Sequence, residues 1–210
     1  MLPAPNEPRS LRDPTAVAKR RELLAEQSAR TLADYVMRLR AMGRGEVPDF
    51  DPLDGGHTAK VLFLFEKPGP MTSLRRGQKR KGSGFISRDN DDPTAEATFL
   101  FMRKAGLDRR LTTVWNMVPW WNGTRAIKAE ELHAGTTALD ELLKLMENLR
   151  VVVLVGRKAA RARSHLEGRG IPVLQSPHPS PIVRASRLSA WQSIPEIWAE
   201  VLPFVQPPRT

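Results

Sequence analysis

The sequence predicts an α/β protein: a three-layer α/β/α sandwich around a central four-stranded parallel sheet, preceded by an N-terminal helical extension. Short apolar runs alternate along the chain with longer segments that have helical periodicity. Two of these runs, Val61–Phe65 and Val151–Val155, are apolar throughout, which is typical of strands that are covered on both faces. Strands that alternate with helices pair in parallel, because each helix returns the chain to the same end of the sheet.

Composition indicates one domain with an extension and favours a polyanionic partner. The chain has 210 residues, of which 40% are hydrophobic, enough for a core but not for two full domains. Lys and Arg number 33 against 23 Asp and Glu. The net charge of +10 favours nucleic acid, although acidic proteins and membranes also attract basic proteins. The absence of cysteine excludes disulfides, thiolate zinc sites, iron–sulfur clusters and cysteine nucleophiles.

The sequence indicates neither a cofactor nor a membrane span. The four histidines are scattered along the chain, so no metal site and no organic cofactor are expected. Uncharged runs are too short to cross a bilayer, and the N-terminus lacks an apolar signal core. We therefore expect a soluble, monomeric protein of the cytoplasm.

The N-terminal part is predicted to be a tail and a helix. Residues 1–13 are rich in proline, and apolar residues then recur at helical spacing over Asp13–Met42. The first residue of this segment suits an N-cap, and a glycine follows its end. We divide the chain into an N-terminal tail and helix over 1–45 and an α/β domain over 46–210, which begins with a loop that extends to residue 58.

Strands and helices then alternate. Each predicted strand is a short run of apolar or β-branched residues, and each helix carries apolar residues at helical spacing. The strands are Val61–Phe65, Leu111–Asn116, Val151–Val155 and Ile171–Gln175. The helices are one between Asp92 and Gly106, then Lys128–Leu149, Arg157–Glu167 and a stretch around Trp191–Leu202.

Polar side chains stand where the predicted strands end. Glu66 follows the first strand, Asn116 ends the second, and His178 comes shortly after the fourth. The third strand leads into two basic residues, Arg157 and Lys158. The carboxyl ends of parallel strands share one edge of the sheet, and such sheets bind their ligands there. The sequence therefore predicts a site that combines a carboxylate, a carboxamide, an imidazole and basic groups.

A basic, glycine-rich segment, Arg75–Arg88, lies between the first strand and its helix and is predicted to be a mobile loop at the same edge. Its charge fits either a solvated loop or a nucleic-acid contact. Phe85 favours the second interpretation, because an aromatic ring among basic side chains can stack on a base. The segment matches neither a phosphate-binding loop nor a dinucleotide fingerprint. The predicted DNA contacts in it are Lys79, Arg80, Lys81 and Arg88.

In order and spacing, these motifs resemble the uracil-DNA glycosylase superfamily over about residues 60–182. The turn after the first strand is most similar to the thermophilic iron–sulfur branch, but the missing cysteines imply a branch without the cluster. The His-Pro-Ser motif at the end of the last strand is the most specific of the matches. The segments that carry the resemblance are Phe65–Gly69, Gly84–Ile86, Trp115–Val118, Gly156–Ala159 and His178–Pro181.

The resemblance implies an α/β fold of that superfamily and a glycosylase that extrudes uracil, or a related deaminated base, from DNA and cleaves its N-glycosidic bond. Of the catalytic residues, Glu66 would position water and His178 would donate a hydrogen bond to the departing base. The expected substrate contacts are Lys67, Pro68, Gly69, Phe85 and Asn116, and the expected DNA contacts of the last motif are Ser180, Pro181, Ile182 and Arg184. Ile182 is the predicted wedge that fills the vacated base stack.

The chain departs from the family pattern in its first motif. Phe65 replaces the usual glycine, and Lys67 stands where many members carry an Asp or Asn that positions water. Lys67 would either contact the phosphate beside the extruded nucleotide or pair with Glu66. Gly69 replaces the tyrosine that excludes thymine in the best-known branch, so that task would fall to another residue, with Glu66 as one choice.

Two other functions fit the same residues. A catalytically inactive DNA-binding member of the fold would bind DNA in a salt-sensitive way and yield no abasic product. An enzyme for a different small ligand would use the strand-end site without DNA affinity, against which the basic charge and the basic loop argue.

Overall fold

The fold is described from a computed structural model that covers residues 6–74 and 82–205. The strands are β1 (Asp49–Phe50), β2 (Val61–Phe65), β3 (Phe85–Ile86), β4 (Thr112–Asn116), β5 (Val151–Val155) and β6 (Val173–Ser176). The helices are α1 (Pro14–Glu22), α2 (Gln27–Ala41), α3 (Pro93–Lys104), α4 (Ala129–Leu145), α5 (Arg163–Glu167), α6 (Pro181–Ser186), α7 (Leu188–Gln192), α8 (Ile194–Ala199) and α9 (Leu202–Val205).

The predicted four-stranded parallel sheet is confirmed. Its strands lie in the order β4-β2-β5-β6, and every neighbouring pair is parallel. Because β2 is flanked by β4 and β5, its carboxyl end lies in the middle of the sheet edge. Phe65 at the end of β2 is in register with Asn116 at the end of β4. This register brings the first two predicted motifs side by side.

Helices cover both faces of the sheet. Neighbouring residues of a strand point to opposite faces, and the aromatic contacts identify each layer. On one face, Phe63 packs edge-on against Trp198 of α8, at 4.9 Å between ring centroids. On the other, Trp115 lies 6.2 Å from Tyr35 of α2, whose hydroxyl donates to the carbonyl of Ala138 in α4 at 2.8 Å. The layers therefore agree with the α/β/α sandwich that the sequence predicts.

The single N-terminal helix that was predicted is two helices. α1 ends at Glu22, a short 3₁₀ turn follows, and the backbone is extended at Glu26 before α2 begins. The break lets the two segments bury different residues. α1 buries Arg20 in an ionic cluster, whereas α2 buries an apolar face that includes Leu32 and Leu39 in the main core. None of the helices within the described ranges is long and apolar enough to cross a membrane.

Two segments predicted as loops contain a further strand pair. β1 and β3 are two residues each and pair in parallel. Such short strands have no periodicity that a sequence pattern can reveal. They nevertheless belong to the core, since Phe50 of β1 stacks on Trp115 of the main sheet at 3.6 Å between ring centroids. The predicted helix over residues 157–167 is also shorter, with a 3₁₀ turn over Ala159–Ala162 before α5.

A buried ionic cluster joins α1 to the loops at the edge of the sheet. Its members are Arg20, Arg88, Arg109, Asp51, Asp54 and Asp89, and the side chains are at most 10% exposed. Arg109 donates to all three carboxylates, at 2.6 Å to Asp51, 2.8 Å to Asp54 and 2.9 Å to Asp89. Burial opposes ionisation of Asp51, but Arg109 and Arg20 outweigh it and hold the pKa of that carboxyl below its usual range.

The predicted DNA contact of Arg88 is wrong. Its side chain is 4% exposed, and Nη2 donates to Thr112 at 2.6 Å and lies 3.3 Å from Asp54. A buried guanidinium needs such partners because an unpaired buried charge is very costly. Arg88 therefore borders the cavity as a buried cation of the ionic cluster, with its charge paired to Asp54.

Candidate active site at the carboxyl edge of the sheet

A cavity of about 380 Å³ lies at the carboxyl ends of β2 and β4, between the N-terminal ends of α3 and α6. Apolar side chains form part of its walls, including Phe65, Ile86 and Val114. Its size is in the usual range for small-molecule pockets. The ionisable and amide side chains among its lining residues are Glu66, Lys67, Arg88, Asn90, Asp92, Asn116, Arg125 and His178.

Asn116 is held rigidly at the end of β4. The backbone beyond it continues to bond to the first strand, with Met117 N donating to Phe65 O at 2.8 Å and Val118 N to Glu66 O at 3.0 Å. The side chain is part of the cavity wall, and the residue is 6% exposed. Within residues 6–74 and 82–205, its carboxamide has no hydrogen-bond partner. Its donor and acceptor are therefore available to a molecule in the cavity.

His178 reaches the cavity from the chain segment after β6. The strand end is fastened by Trp198, whose Nε1 donates to Ser176 Oγ at 2.9 Å. The imidazole packs edge-on against Phe65, with 5.5 Å between ring centroids and an interplanar angle of 86°. Gly156 allows this approach: a Cβ there would lie 3.2 Å from His178 Cβ, and its φ of +88° also favours glycine.

The environment of His178 favours the neutral imidazole. Burial lowers its pKa from the ordinary value of 6.5, and the charges of Arg125 and Lys158 add to this, while Glu66 opposes it. Nδ1 is buried and has no hydrogen-bond partner within the described residues. The imidazole is thus neutral at pH 7, with one ring nitrogen carrying a proton that can be donated.

We expect His178 to titrate below pH 6.5 and Lys158→Met to raise its pKa. The substitution removes a cation that disfavours the imidazolium and releases Glu66, which favours it. The unfolded chain binds this proton near pH 6.5, so the contribution of His178 to stability should fall as the pH drops below that value. Histidine NMR titration of both proteins, with Lys104→Met as a control on the far end of α3, measures the shift. An equal pKa in all three proteins would contradict this account.

Glu66 is paired with Lys158, not with Lys67. Lys158 Nζ lies 3.1 Å from Glu66 Oε1, and the Glu66 side chain is 25% exposed at the cavity. Both residues stand where their strands end, as the sequence predicted. The carboxylate therefore keeps a partner at one oxygen and borders the cavity, which is the arrangement that a water-binding carboxylate requires.

Both predicted roles of Lys67 are wrong. Its side chain is 1% exposed and pairs with Glu131, whereas Glu66 pairs with Lys158. Nζ donates to Glu131 Oε1 at 2.7 Å, to Asn122 Oδ1 at 2.9 Å and to Ala126 O at 3.1 Å, which satisfies all three of its protons. Burial opposes ionisation of Glu131, but hydrogen bonds from Lys67 and other donors outweigh it and lower the pKa of Glu131. Lys67 borders the cavity, but its ammonium group is fully bonded to Glu131 and to the loop after β4.

The predicted position of Phe85 in a mobile, base-stacking loop is also wrong. Phe85 belongs to β3, is 0% exposed and does not line the cavity. Its ring packs near Arg21, whose guanidinium carbon lies 5.9 Å from the ring centroid. Because successive strand residues point in opposite directions, Ile86 takes the place on the cavity wall that was expected for Phe85.

Two ionisable residues at the cavity were not predicted as site residues. Asp92 was read only as the start of a helix, and its Oδ1 does cap α3 by accepting from Thr94 N at 2.9 Å and Ala95 N at 3.0 Å. Burial raises its pKa despite these bonds. Arg125 lies in the loop after β4 and has an exposed side chain that borders the cavity. A basic residue two positions beyond a loop glycine is too common a pattern to identify it.

Five of the other predicted contacts line the cavity. Pro68, Gly69, Ser180, Pro181 and Ile182 all line it. Ser180 caps α6 by accepting from Val183 N at 3.4 Å, and Ile182 on the first turn is 74% exposed. Arg184 packs over the ring of Trp191 at 5.1 Å. Lys79, Arg80 and Lys81 lie outside the described residues.

The matches among solved structures are of low similarity. The solution structure of a candidate uracil DNA glycosylase from Methanosarcina acetivorans is 17% identical, with a TM-score of 0.47 over 70% of this chain and 92% of that one. The wild-type UNG crystal structure from Nitratifractor salsuginis is 14% identical, with a TM-score of 0.43 over 87% of this chain and 97% of that one. No curated protein sequence gives a match.

A sequence model of a protein family gives the assignment. The model of the Uracil DNA glycosylase superfamily matches residues 54–202, which include every strand of the main sheet and the cavity residues Glu66, Asn116, Arg125 and His178. The match extends over well more than half of the chain. The chain therefore belongs to the uracil DNA glycosylase superfamily.

Proposed function

We propose that this protein is a DNA glycosylase that extrudes uracil, or a related deaminated base, and hydrolyses its N-glycosidic bond to leave an abasic site for base excision repair. The observation that carries the proposal is the convergence of Glu66, Asn116 and His178 on one cavity at the carboxyl edge of the sheet. Membership of the superfamily supports it.

The reaction explains why these three groups belong together. Cleavage of a glycosidic bond passes through an oxocarbenium-like state, in which positive charge grows on the sugar and negative charge on the departing base. The bond is not reachable inside a base stack, so the nucleotide must be extruded into a pocket. The pocket must then read the base edge, stabilise its charge and supply water.

Asn116 is the residue that reads the base. A carboxamide offers one donor and one acceptor side by side, and uracil and cytosine present the opposite order at the ring edge. The backbone bonds beyond the end of β4 fix the place from which the amide meets the base edge. Phe65 and Ile86 supply apolar contact to the ring, in place of the stacking that was expected from Phe85.

His178 and Glu66 act on opposite charges of the transition state. The neutral imidazole donates a hydrogen bond to the base oxygen on which negative charge develops, which is a preorganised stabilisation inside a largely buried site. Glu66 accepts a hydrogen bond from water that attacks the sugar and takes its proton. Lys158 occupies Oε1 of the carboxylate, so we assign Oε2 to this water.

DNA binding would involve the mouth of the cavity. Ile182, exposed on the first turn of α6, is the proposed wedge for the space left by the extruded base. Arg184, Arg187 and the basic residues 79–81 would contact phosphates. With about five such contacts, the logarithm of the binding constant should fall against the logarithm of salt concentration with a slope near −4 to −5.

One observation favours a second function, a DNA-binding protein of this fold without catalysis. The ion pair with Lys158 occupies one oxygen of the Glu66 carboxylate that the mechanism needs. In this case Lys158, not Lys67, would mark the loss of chemistry. The alternative predicts salt-sensitive DNA binding with no abasic product.

The test is incubation of the purified protein with end-labelled oligonucleotides that carry one uracil, single and double stranded, followed by alkaline cleavage. We expect a uracil-dependent break that is lost in Asn116→Asp, because a carboxylate cannot donate to the base and repels its oxygen. His178→Ala from the same purification controls for contaminating enzymes. Intact DNA with retained binding under broad conditions would favour the second function.

A further inference from the structure

Residues 122–128, here called the rim loop, connect β4 to α4 and border the cavity. Lys67 holds this loop from beneath through its bonds to Asn122 Oδ1 at 2.9 Å and Ala126 O at 3.1 Å. The third bond of Lys67 goes to Glu131 on the first turn of α4, which also accepts from Lys128 N at 3.1 Å. A buried lysine thus ties both ends of the rim loop to the first motif.

Lys158 holds the middle of the rim loop from the other side. Its Nζ donates to Arg125 O at 3.2 Å while it pairs with Glu66. A local bond from Ala126 N to Thr124 Oγ1 at 3.1 Å tightens the turn further. The backbone of Arg125 therefore has a defined position, although its side chain is exposed.

The side chain of Arg125 is placed for an anionic partner outside the protein. A Cβ added at Gly69 would lie 4.0 Å from Arg125 Nη2, so the guanidinium stands beside the backbone of the first motif. Its charge also acts on His178 and Asp92, which places it at the cavity. Within the part of the chain that the structure describes, this guanidinium makes no ion pair, whereas Arg20, Arg88 and Arg109 are all paired.

We propose that Arg125 is a phosphate-binding residue, presented by the rim loop to the DNA phosphate next to the extruded nucleotide. A guanidinium fits a phosphate because its planar fork donates two parallel hydrogen bonds. An exposed side chain at the mouth meets the backbone of the DNA, while the buried Asn116 meets the base. The inference rests on the proposed function only in naming the extruded nucleotide as the neighbour of the bound phosphate. It gives Arg125 the phosphate contact that the sequence had suggested for Lys67.

The test is the salt dependence of DNA binding, measured by fluorescence anisotropy with uracil-containing oligonucleotides in the His178→Ala background, in which turnover is slow. We expect Arg125→Ala to weaken binding about tenfold near 0.1 M salt and to reduce the slope of the log–log plot by about 0.9, the value for one lost phosphate contact. The control is Arg103→Ala at the far end of α3, which should change neither. Lys67→Met should reduce the slope in part, because the rim loop loses its anchor.

An unchanged affinity and slope in Arg125→Ala would overturn the proposal. Arg125→Lys separates a charge contact from a bidentate one and should restore the slope but not the full affinity. Cleavage is scored separately on the single variants. If the wild-type sequence at His178 gives no glycosylase activity but Arg125→Ala still reduces the slope of the log–log plot, the proposed function is contradicted and this inference is supported.

Discussion

His178→Ala is expected to slow release of uracil from DNA by roughly 10²–10³-fold, the usual cost of one preorganised donor to a developing anion. The imidazole stands at the cavity wall against Phe65, and burial keeps it neutral. Alanine leaves the departing base oxygen without this donor. DNA binding should persist, because the proposed phosphate contacts do not involve His178. Single-turnover rates with saturating enzyme isolate the chemical step.

His178→Gln is the matched variant for this prediction. Its amide keeps a donor in the cavity but on a longer and more flexible side chain, so an intermediate rate is expected. Thermal unfolding and circular dichroism establish that both variants are folded. A rate for folded His178→Ala that is close to wild type would contradict the role given to His178.

Arg20→Leu is expected to lower the free energy of unfolding by about 3–5 kcal/mol, since breaking a buried ion pair leaves uncompensated charge. Arg20 is 0% exposed, pairs with Asp51 and lies 2.9 Å from Asp89. Asp89 belongs to the turn between β3 and α3, which forms one wall of the cavity. The loss of Arg20 should therefore also reduce activity under conditions where the variant is folded. Urea unfolding measures the change in stability.

Arg9→Ala is the control for Arg20→Leu. Arg9 pairs with Asp91 at 3.1 Å and Glu96 at 2.9 Å from the same N-terminal segment, but its side chain is 30% exposed. Exposed pairs contribute little, so its loss should cost less than about 1 kcal/mol. Equal stability of Arg20→Leu and Arg9→Ala would show that the buried cluster does not stabilise the fold.

The features that sequence predicted well are those encoded by local patterns. Val61–Phe65 and Val151–Val155 are the observed β2 and β5 because a wholly apolar run of this length has few other uses. Because the carboxyl ends of parallel strands share one edge, Glu66, Asn116 and His178 could be placed together without knowledge of their contacts. All three line the cavity. The location of these three residues at one cavity thus follows from the topology of the sheet.

The features that sequence missed depend on long-range pairing. Lys67 pairs with Glu131, a residue far along the chain. No local sequence pattern distinguishes such a lysine from one that contacts a phosphate. In the sequence, Arg88 belongs to a basic segment, and only the structure shows that it pairs with Asp54. Phe85 faces away from the cavity because its strand partner is the two-residue β1, which no periodicity reveals. The burial of Arg20 in the ionic cluster, which accompanies the break in the N-terminal helix, likewise depends on residues distant in sequence.

The most direct test of base excision at this cavity is detection of both products by mass spectrometry, from a single-stranded oligonucleotide with one uracil. We expect equal amounts of free uracil and abasic strand with the wild-type protein. His178→Ala should yield neither within the same time, while still binding the oligonucleotide. Intact DNA recovered from a folded wild-type protein that binds it, or equal product from His178→Ala, would contradict the account.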